Sequence, residues 1–337
     1  MNAKSVERFL LVGGKLKPNV IGQPEWTHYE KALVAKCEAP SGRSEVLLEY
    51  LTPPAACAVA DDPSILFKDA TLHDDEFFLC TQTEVLIHRL PDLQRTHYIS
   101  LPCFNDVHHV RPTPQGTLLI AVTGLDLVVE INRVGKILRE WSVTASATWS
   151  RFSRDIDYRT VVSTKPHLAH PNYVFLAGNE IWATRFEQRD AVCLTQPERR
   201  IDIGLGGPHD GIVFEDHVYF TTVNGHIVKA DWASGQVVQT FDLNHMSGAH
   251  GPLGWCRGLL LLDATHAVVG FSRLRPTKFR ENIAWVKRWA KSSLGISESV
   301  ASKPTRLACY NLKAGRLLWE MNVEDAGLNA IFSIHPA

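Results

Sequence analysis

The chain has 337 residues, of which 45% are hydrophobic and 21% charged, so it can bury a full core and does not have a disordered composition. Its formal net charge of −1 gives no general field that would attract nucleic acid, which is therefore not an expected partner. No run approaches the ~18–20 apolar residues of a membrane helix, and no C-x-x-C pair occurs among the seven cysteines. We therefore expect a reduced, cytoplasmic protein without a transmembrane segment.

Short apolar or alternating runs, broken by Gly, Asp, Asn and Pro, recur from one end of the chain to the other. This pattern predicts strands joined by tight turns, because alternation places every second side chain on the same face of a sheet. The N-terminal part contains three predicted strands, at 8–12, 31–37 and 45–51. A group of four follows, at 68–72, 77–81, 85–89 and 95–100.

The clearest unit lies between residues 105 and 143, where four strands are separated by turns. Its strands are predicted at 106–111, 116–122, 125–132 and 136–143. Four meandering strands in about 40 residues have the size and order of a β-propeller blade. The same unit recurs over residues 172–203, 211–243 and 258–322, and an insertion interrupts the last of these.

The two chain ends complete the ring in this interpretation. A single predicted strand at 330–334 would join the three N-terminal strands as a sixth blade, which leaves no unpaired sheet edge. We therefore predict an all-β fold: one β-propeller domain over residues 1–337, with six four-stranded blades closed by N- and C-terminal strands. Five or seven blades are the alternatives, because the N-terminal strands have the weakest pattern.

Two insertions interrupt the repeat, at residues 144–166 and 276–303. The first could form a loop over one face of the propeller. Within the second, residues 276–295 are predicted to form an amphipathic helix, because apolar and basic side chains fall on opposite sides at helical spacing. We expect this helix to pack on the rim of the propeller. The alternatives are a lid over the axis, or a contact with an acidic protein partner or a membrane surface.

The candidate site residues stand at or just before the innermost strand of each blade. These strands surround the central channel of a propeller, so residues at their leading ends converge on one mouth. Strand alternation allows only one of His108 and His109 to face the channel. The candidates, in chain order, are Asn105, Asp106, His108, His109, His170, Asn172, His209, Asp210 and Arg257.

Three of these segments resemble the regucalcin/gluconolactonase family: Asn105-Asp106, Pro171-Asn172 and His209-Asp210-Gly211-Ile212. The likeness extends over residues 105–243. It implies a six-bladed propeller, related to the paraoxonases, with a divalent cation on its axis that serves lactone or ester hydrolysis. It also implies that Asn172 and Asp210 bind the ion and that Asn105 is a ligand or a substrate contact. A weaker similarity, over residues 126–141, is to arylsulfotransferase-like propellers.

The chain departs from that family at the first blade and in its histidines. The family's first-blade Glu ligand is replaced by Lys68-Asp69-Ala70. Imidazole suits Zn, Fe and other transition metals, whereas Ca²⁺ prefers oxygen ligands. We therefore expect a divalent metal, Ca, Zn or Fe, held by ligands from the set Asn105, Asp106, His170, Asn172, His209 and Asp210.

The main hypothesis is a metal-dependent enzyme that hydrolyses a lactone or another small polar substrate. In it, His108 or His109 moves protons and Arg257 orients the substrate. In a metal-free version, a histidine is itself the general base, because its pKa lies near neutrality. One alternative is an oxidative enzyme with a His-ligated, Fe-type metal on the same axis. The other is a non-catalytic propeller that acts as a protein-interaction platform.

Overall fold

The alternating runs form twenty-four strands in the computed structural model, which describes residues 8–18, 20, 27–56, 62–249, 252–274 and 303–337. The strands make six four-stranded antiparallel sheets, so the predicted six-bladed propeller is confirmed. The first three strands are β1 (Arg8–Leu16), β2 (Tyr29–Glu38) and β3 (Ser44–Tyr50).

Five blades are continuous in sequence. Blade 1 contains β4 (Asp69–His73), β5 (Glu76–Cys80), β6 (Val85–Arg89) and β7 (Gln94–Ile99). Blade 2 contains β8 (Val107–Pro112), β9 (Leu118–Val122), β10 (Leu127–Ile131) and β11 (Ile137–Ser142). Blade 3 contains β12 (Pro171–Ala177), β13 (Glu180–Arg185), β14 (Asp190–Cys193) and β15 (Arg200–Asp202).

The last two continuous blades follow. Blade 4 contains β16 (Pro208–Phe214), β17 (His217–Thr222), β18 (His226–Asp231) and β19 (Gln236–Asp242). Blade 5 contains β20 (Trp255–Leu261), β21 (His266–Ser272), β22 (Arg306–Asn311) and β23 (Arg316–Asn322). The final strand is β24 (Ala330–Pro336).

Blade 6 joins the two chain ends, as predicted. Its strand order is β24-β1-β2-β3, with the C-terminal strand innermost. The backbones of β1 and β24 approach closely at Gly13, where a Cβ atom would lie 1.8 Å from the carbonyl oxygen of Ala330, so a larger residue does not fit. Each innermost strand contacts the innermost strand of the next blade, and β24 contacts β4, which closes the ring.

The core is distributed over the six interfaces between neighbouring blades, each of which contains a buried apolar cluster. Between blades 3 and 4, the ring of Phe175 stacks on Trp182 at 6.1 Å and meets the edge of Phe220 at 5.9 Å. All three side chains are fully buried. Removal of such a ring costs about 3–5 kcal/mol in a packed core. These interfaces therefore fix the blades relative to one another and give the mouth a rigid frame.

Irregular backbone marks the innermost strands at one mouth of the ring. The pairing register shifts near the start of β8, β12, β16, β20 and β24, whereas β4 pairs without a shift. Three residues there adopt left-handed backbone: Asp106 (φ 50°), His170 (φ 55°) and Asp210 (φ 60°). Non-glycine residues with positive φ are uncommon and cluster at functional sites. A bulge re-aims the side chains that precede and follow it, which brings polar residues to the axis.

Helices are few within the described residues. One short α-helix, α1 (Leu243–Met246), follows blade 4. The predicted insertion at 144–166 contains two 3-10 turns, Thr148–Ser150 and Tyr158–Thr160. The helix predicted at 276–295 lies outside the described residues. In the part of the chain that is described, no helix is long and apolar enough to cross a membrane.

Candidate functional site

A cavity of about 740 Å³ opens at the mouth where the innermost strands begin. Its volume lies within the range of small-molecule sites, about 300–1,000 Å³. The loop at 162–167 forms one side of it, so the first insertion does lie over this face. The charged and histidine side chains of its lining are Lys68, Asp106, His108, Lys165, His167, His170, Glu187, His209 and Arg257.

His108 is the histidine of β8 that lines the cavity. Its Nδ1 lies 2.8 Å from Oδ1 of Asn172, whose Nδ2 donates to the carbonyl oxygen of Pro208 at 2.9 Å. Because the amide nitrogen of Asn172 is committed to a carbonyl, its oxygen must face His108 and accept a hydrogen bond. Nδ1 of His108 therefore carries the proton, and Nε2 of the neutral ring is unprotonated.

Asp106 and Lys68 stand on the other side of the His108 ring. Nε2 of His108 lies 3.3 Å from Oδ1 of Asp106, which also pairs with Nζ of Lys68 at 3.0 Å. Burial opposes charge on Asp106, but the Lys68 ammonium holds the pKa of this carboxyl well below its usual range. Burial lowers the pKa of His108 to about 4, although Asp106 acts in the opposite direction. At neutral pH the imidazole of His108 is therefore neutral. It lies between the amide oxygen of Asn172, which accepts a hydrogen bond from it, and the carboxylate of Asp106.

A second pair of histidines lies beside His108. Nδ1 of His167 and Nδ1 of His170 are 2.8 Å apart, and the ring of His170 meets the ring of His108 edge-on at 5.0 Å. The Thr164 hydroxyl donates to the Gly124 carbonyl at 2.5 Å, so its oxygen accepts from Nε2 of His167 at 3.4 Å. His170 must then donate from Nδ1, which leaves its Nε2 unprotonated.

Burial also disfavours the charged form of the remaining cavity histidines. It lowers the pKa of His167 and, more strongly, that of His170. The pKa of His209 lies well below its usual value because of burial and of the cationic Arg257 nearby. All four histidines of the lining are therefore neutral at pH 7, and the charge of the cavity comes from lysine, arginine and carboxylate side chains.

Another group of side chains lies where blades 5, 6 and 1 meet. The guanidinium carbon of Arg257 lies 4.5 Å from the centre of the Phe332 ring, and Nζ of Lys68 lies 6.0 Å from the same centre. Trp255, at the start of β20, also lines the cavity, and the centre of its ring lies 5.9 Å from the guanidinium carbon of Arg257. Lys68, Trp255 and Arg257 thus line the cavity, whereas Phe332 packs against two of them without belonging to the lining.

Three of the residues singled out from the sequence are not part of the cavity lining: His109, Asn172 and Asp210. His109 is fully buried between blades, where its ring stacks on Tyr173 at 3.6 Å and its Nε2 lies 3.2 Å from the Thr71 hydroxyl. Of the two adjacent histidines, the structure therefore turns His108 to the cavity and His109 to the core. Asn172 reaches the cavity through its hydrogen bond to His108.

Asp210 links blade 4 to blade 5. Its carboxylate accepts hydrogen bonds from the Thr221 hydroxyl and from the backbone N–H groups of Gly258 and Leu259, the latter two at 3.2 Å. Burial raises the pKa of Asp210 to about 6, against the effect of these donors. The oxygens of Asp210 are thus used to tie the bulge of β20 to the neighbouring blade.

Asn105 anchors the loop over the cavity. Its Nδ2 donates to the carbonyl oxygens of Tyr158 and Val161, both at 2.8 Å, and its Oδ1 lies 3.3 Å from the hydroxyl oxygen of Thr164. A Cβ atom at Gly124 would lie 2.1 Å from Oδ1 of Asn105, which shows how tightly this contact is packed. Asn105 lines the cavity, but its polar atoms hold the loop.

The side chains of Asn105, Asn172 and Asp210 are each hydrogen-bonded within the protein, as described above. Among the described residues, no group of three His, Cys, Asp or Glu side chains is arranged to hold a metal ion. The geometry does not fit the metal centre that the family resemblance implies, and metal binding stays a prediction.

Three residues that contact or position side chains of the cavity lining carry no signal in the local sequence. Phe332 lies on the C-terminal strand, far in sequence from the cations that it contacts. Asp126 accepts hydrogen bonds from the backbone N–H groups of residues 168, 169 and 170 and from Arg151, and so positions His170. Thr164 fixes the orientation of His167. For Lys68 a signal was present in the sequence, because its charge stands where the related family has a carboxylate.

Comparison with known proteins gives no family for this chain. No family model matches the sequence, and no curated protein matches it. A solved structure described as the mitotic checkpoint complex contains a chain that is 8% identical, with a TM-score of 0.48. The match covers 86% of this chain and 72% of that one. It carries no functional argument, and the propeller assignment depends on the six sheets themselves.

Proposed function

We propose that the mouth cavity is an active site that hydrolyses a lactone or ester bond in a small polar substrate, with His108 as the general base. The observation that supports this proposal is the fixed tautomer of His108. Asn172 holds the proton on Nδ1, so the unprotonated Nε2 stands at a cavity of small-molecule size, beside Asp106. A neutral imidazole in this state can take a proton from water.

The proposed reaction is a direct attack by water. Nε2 of His108 removes a proton from the water molecule while the water oxygen bonds to the carbonyl carbon of the substrate. The imidazolium that forms donates from Nδ1 to Asn172 and from Nε2 toward Asp106, whose charge stabilises it. When the bond between the carbonyl carbon and the leaving oxygen breaks, the same proton passes from His108 to that oxygen. No step in this scheme passes through a metal ion.

The test is hydrolysis of a panel of aldonolactones and small aryl esters by the full-length protein, with and without EDTA. We expect turnover that EDTA does not reduce. His108→Gln should lower kcat/KM by about 10²-fold or more, the usual contribution of a general base. The control is His245→Gln, because His245 is an exposed histidine on α1.

Three outcomes would contradict the proposal. The first is wild-type protein that hydrolyses nothing in the panel. The second is a His108→Gln variant that keeps full activity while its circular dichroism matches that of the wild type. The third is activity that EDTA abolishes and that Ca²⁺, Zn²⁺ or Fe²⁺ restores, which would support the metal-dependent hypothesis instead.

A further inference from the structure

Lys68 and His108 meet at one carboxylate oxygen of the cavity. Nζ of Lys68 lies 3.0 Å from Oδ1 of Asp106, and Nε2 of His108 lies 3.3 Å from the same oxygen. All three side chains line the cavity, although Lys68 precedes β4 of blade 1 and the other two belong to the start of blade 2. A molecule that contacts Nε2 of His108 is therefore close to the Lys68 ammonium as well.

The protein holds this ammonium in place and leaves it a hydrogen-bond donor. The backbone N–H of Lys68 donates to the carbonyl oxygen of Cys80 on β5 at 2.8 Å, and 14% of the side chain is exposed. An ammonium has three N–H donors, and Asp106 is the one oxygen acceptor that the described residues provide for Nζ. Even if a second N–H points to the Phe332 ring, whose centre is 6.0 Å away, one donor is left for a ligand.

The proposed reaction creates a negative charge that needs such a donor. When the water oxygen bonds to the carbonyl carbon, the π electrons of the C=O bond move onto the carbonyl oxygen. This oxyanion is two bonds from the attacking oxygen, which is itself beside Nε2 of His108. Donors that are already in position for an oxyanion usually make the largest single contribution to catalysis of this kind.

The charges of the three side chains also suit the intermediate. The imidazolium of His108 donates toward Oδ1 of Asp106, so this oxygen then has two cationic partners, His108 and Lys68. Its attraction is shared between them, and the ammonium can turn an N–H to the oxyanion without leaving the carboxylate. Two cations and two anions then alternate in the site, which stabilises charge separation in a cavity that screens poorly.

We propose that Lys68 is a second catalytic residue, whose ammonium donates a hydrogen bond to the oxyanion of the tetrahedral intermediate. The inference rests on the proposed function and names the group that completes it. Lys68 keeps all of its protons throughout. As the intermediate breaks down, the electron pair returns to the carbonyl bond, the bond to the leaving oxygen breaks, and that oxygen takes its proton from His108.

The first test is kinetic and uses the ester that the wild type hydrolyses fastest. Lys68→Met should lower kcat by about 10²-fold, the usual cost of losing one oxyanion donor. KM should change little, because the trigonal carbonyl of the substrate carries no full charge. Lys68→Arg, which keeps a cationic donor, should lie between the wild type and Lys68→Met. The control is Lys313→Met, which changes an exposed lysine of blade 5 and should have no effect.

The second test measures binding without turnover, by isothermal titration calorimetry of the full-length protein. Phenyl methylphosphonate is a tetrahedral anion that resembles the intermediate formed from phenyl acetate, and acetanilide is a neutral trigonal analogue of the same ester. Lys68→Met should weaken binding of the phosphonate by about 10-fold or more, the usual effect of losing a charged hydrogen-bond partner. Its affinity for acetanilide should stay close to that of the wild type. A purely structural role for Lys68, through Asp106, would weaken both ligands together.

Several results would overturn the role of Lys68. One is a Lys68→Met variant that keeps the kcat of the wild type, and another is equal weakening of the phosphonate and of acetanilide. A third is loss of the preference for the phosphonate in Arg257→Gln but not in Lys68→Met, which would assign the oxyanion donor to Arg257. Hydrolysis that depends on His108 but not on Lys68 refutes this inference alone, whereas wild-type protein that hydrolyses nothing refutes the proposed function itself.

Discussion

At the scale of single residues, Asn172 controls two histidines at once. Its Oδ1 accepts from Nδ1 of His108 at 2.8 Å, and its Nδ2 lies 3.5 Å from Nε2 of His209. Both protons of Nδ2 are then engaged, one with Pro208 and one with His209, so the amide cannot rotate without breaking three contacts. Asn172 is 2% exposed, and a broken contact would leave buried polar atoms unpaired.

Replacement of Asn172 should release the tautomer of His108. In Asn172→Leu the side chain keeps a similar size but offers no acceptor, so Nδ1 of His108 loses its partner and the proton can move to Nε2, beside Asp106. We expect ¹⁵N NMR of the histidine rings to show a shift of His108 from the Nδ1–H to the Nε2–H form. Hydrolysis should fall by about 10-fold or more, with a larger effect on kcat than on KM. An unchanged His108 spectrum in a folded variant would refute this positioning role.

Asp210 differs from Asn172 because its carboxylate stabilises the contact between blades 4 and 5 and is hydrogen-bonded to no histidine of the described cavity lining. Asp210→Asn keeps the shape and tolerates the left-handed backbone, but it turns an amide nitrogen toward donors of Thr221 or β20. We expect a loss of about 2–4 kcal/mol in the free energy of unfolding, measured by urea denaturation. EDTA should change neither the wild-type value nor this difference. If the wild type instead lost stability in EDTA by the same amount as the variant, Asp210 would be a metal ligand.

The role of Asp210 also shows what the sequence could not reveal. Its three donors lie 11, 48 and 49 residues away along the chain. Alternation and turn residues are local signals, which is why the strands and the six-bladed ring could be predicted. A side chain that bonds across two blades leaves no local signal. The segment His209-Asp210-Gly211 therefore resembled a metal-binding motif, although its carboxylate holds the neighbouring strand.

At the scale of elements, the bulges decide which predicted residues reach the site. Strict alternation predicts that His108 and His109 point to opposite sides, but it does not say which one faces the channel. The register shift between Val107 and His109 places His108 in the bulge and turns it toward the cavity. A bulge depends on the pairing partner as well as on the strand itself. For this reason the spacing of the motifs predicted the mouth, whereas the individual contacts required the structure.

The loop over the cavity is tied to blade 2 by one carboxylate. The side chain of Asp126 is 1% exposed and accepts from three consecutive backbone N–H groups, at residues 168–170, and from Arg151 at 2.8 Å. These bonds hold the pKa of Asp126 below its usual value, against the effect of burial. The same contacts place His170 in its left-handed conformation beside His108.

Removal of this charge should loosen the loop without opening the propeller. In Asp126→Asn, hydrogen exchange measured by mass spectrometry should become at least several-fold faster over residues 150–170 and remain unchanged in β8 and β12. The proposed hydrolysis should also slow, because the loop lines the cavity. The matched control is Asp157→Asn, which changes an aspartate of the same loop that pairs with its neighbour Arg159. Equal protection of residues 150–170 in both variants and the wild type would contradict this role.

At the scale of the whole molecule, the ring concentrates titratable groups around its axis. Burial lowers the pKa of several histidines: that of His88 and His108 to about 4, that of His335 to about 3, and those of His109, His170 and His209 well below the usual value. Two carboxyl groups on the axis shift in the opposite sense. Burial raises the pKa of Asp210 to about 6 and that of Asp69 well above its usual range. The histidines and the carboxyl groups therefore have opposite effects on stability in acid.

The effect of the histidines on the free energy of unfolding should exceed that of the two carboxyl groups, because more histidines than carboxyl groups are shifted in this way. The protein should therefore lose stability as the pH falls below about 6.5. Between pH 6.5 and 4 the unfolded chain protonates its histidines and the folded chain does not, and acid therefore favours the unfolded state. Over the same range the folded state keeps protons on Asp69 and Asp210 that the unfolded state releases, which offsets part of the loss. For one histidine whose pKa moves from 6.5 to about 4, the full effect is on the order of 3 kcal/mol. We expect urea denaturation to show a free energy of unfolding at least ~3 kcal/mol lower at pH 5 than at pH 7.5.

Two variants separate the contributions. His88→Phe removes a buried histidine of β6 that does not line the cavity, and it should make the dependence of the unfolding free energy on pH shallower between 6.5 and 4. Asp210→Asn removes one of the offsetting carboxyl groups, so the unfolding free energy should depend more steeply on pH over the same range. This change in slope is separate from the loss of stability that the substitution causes at every pH. A free energy of unfolding that is constant, or that rises, from pH 6.5 to 5 would show that the axial carboxyl groups outweigh the histidines. That result would also contradict the neutral state of the buried histidines, which the proposed mechanism requires of His108.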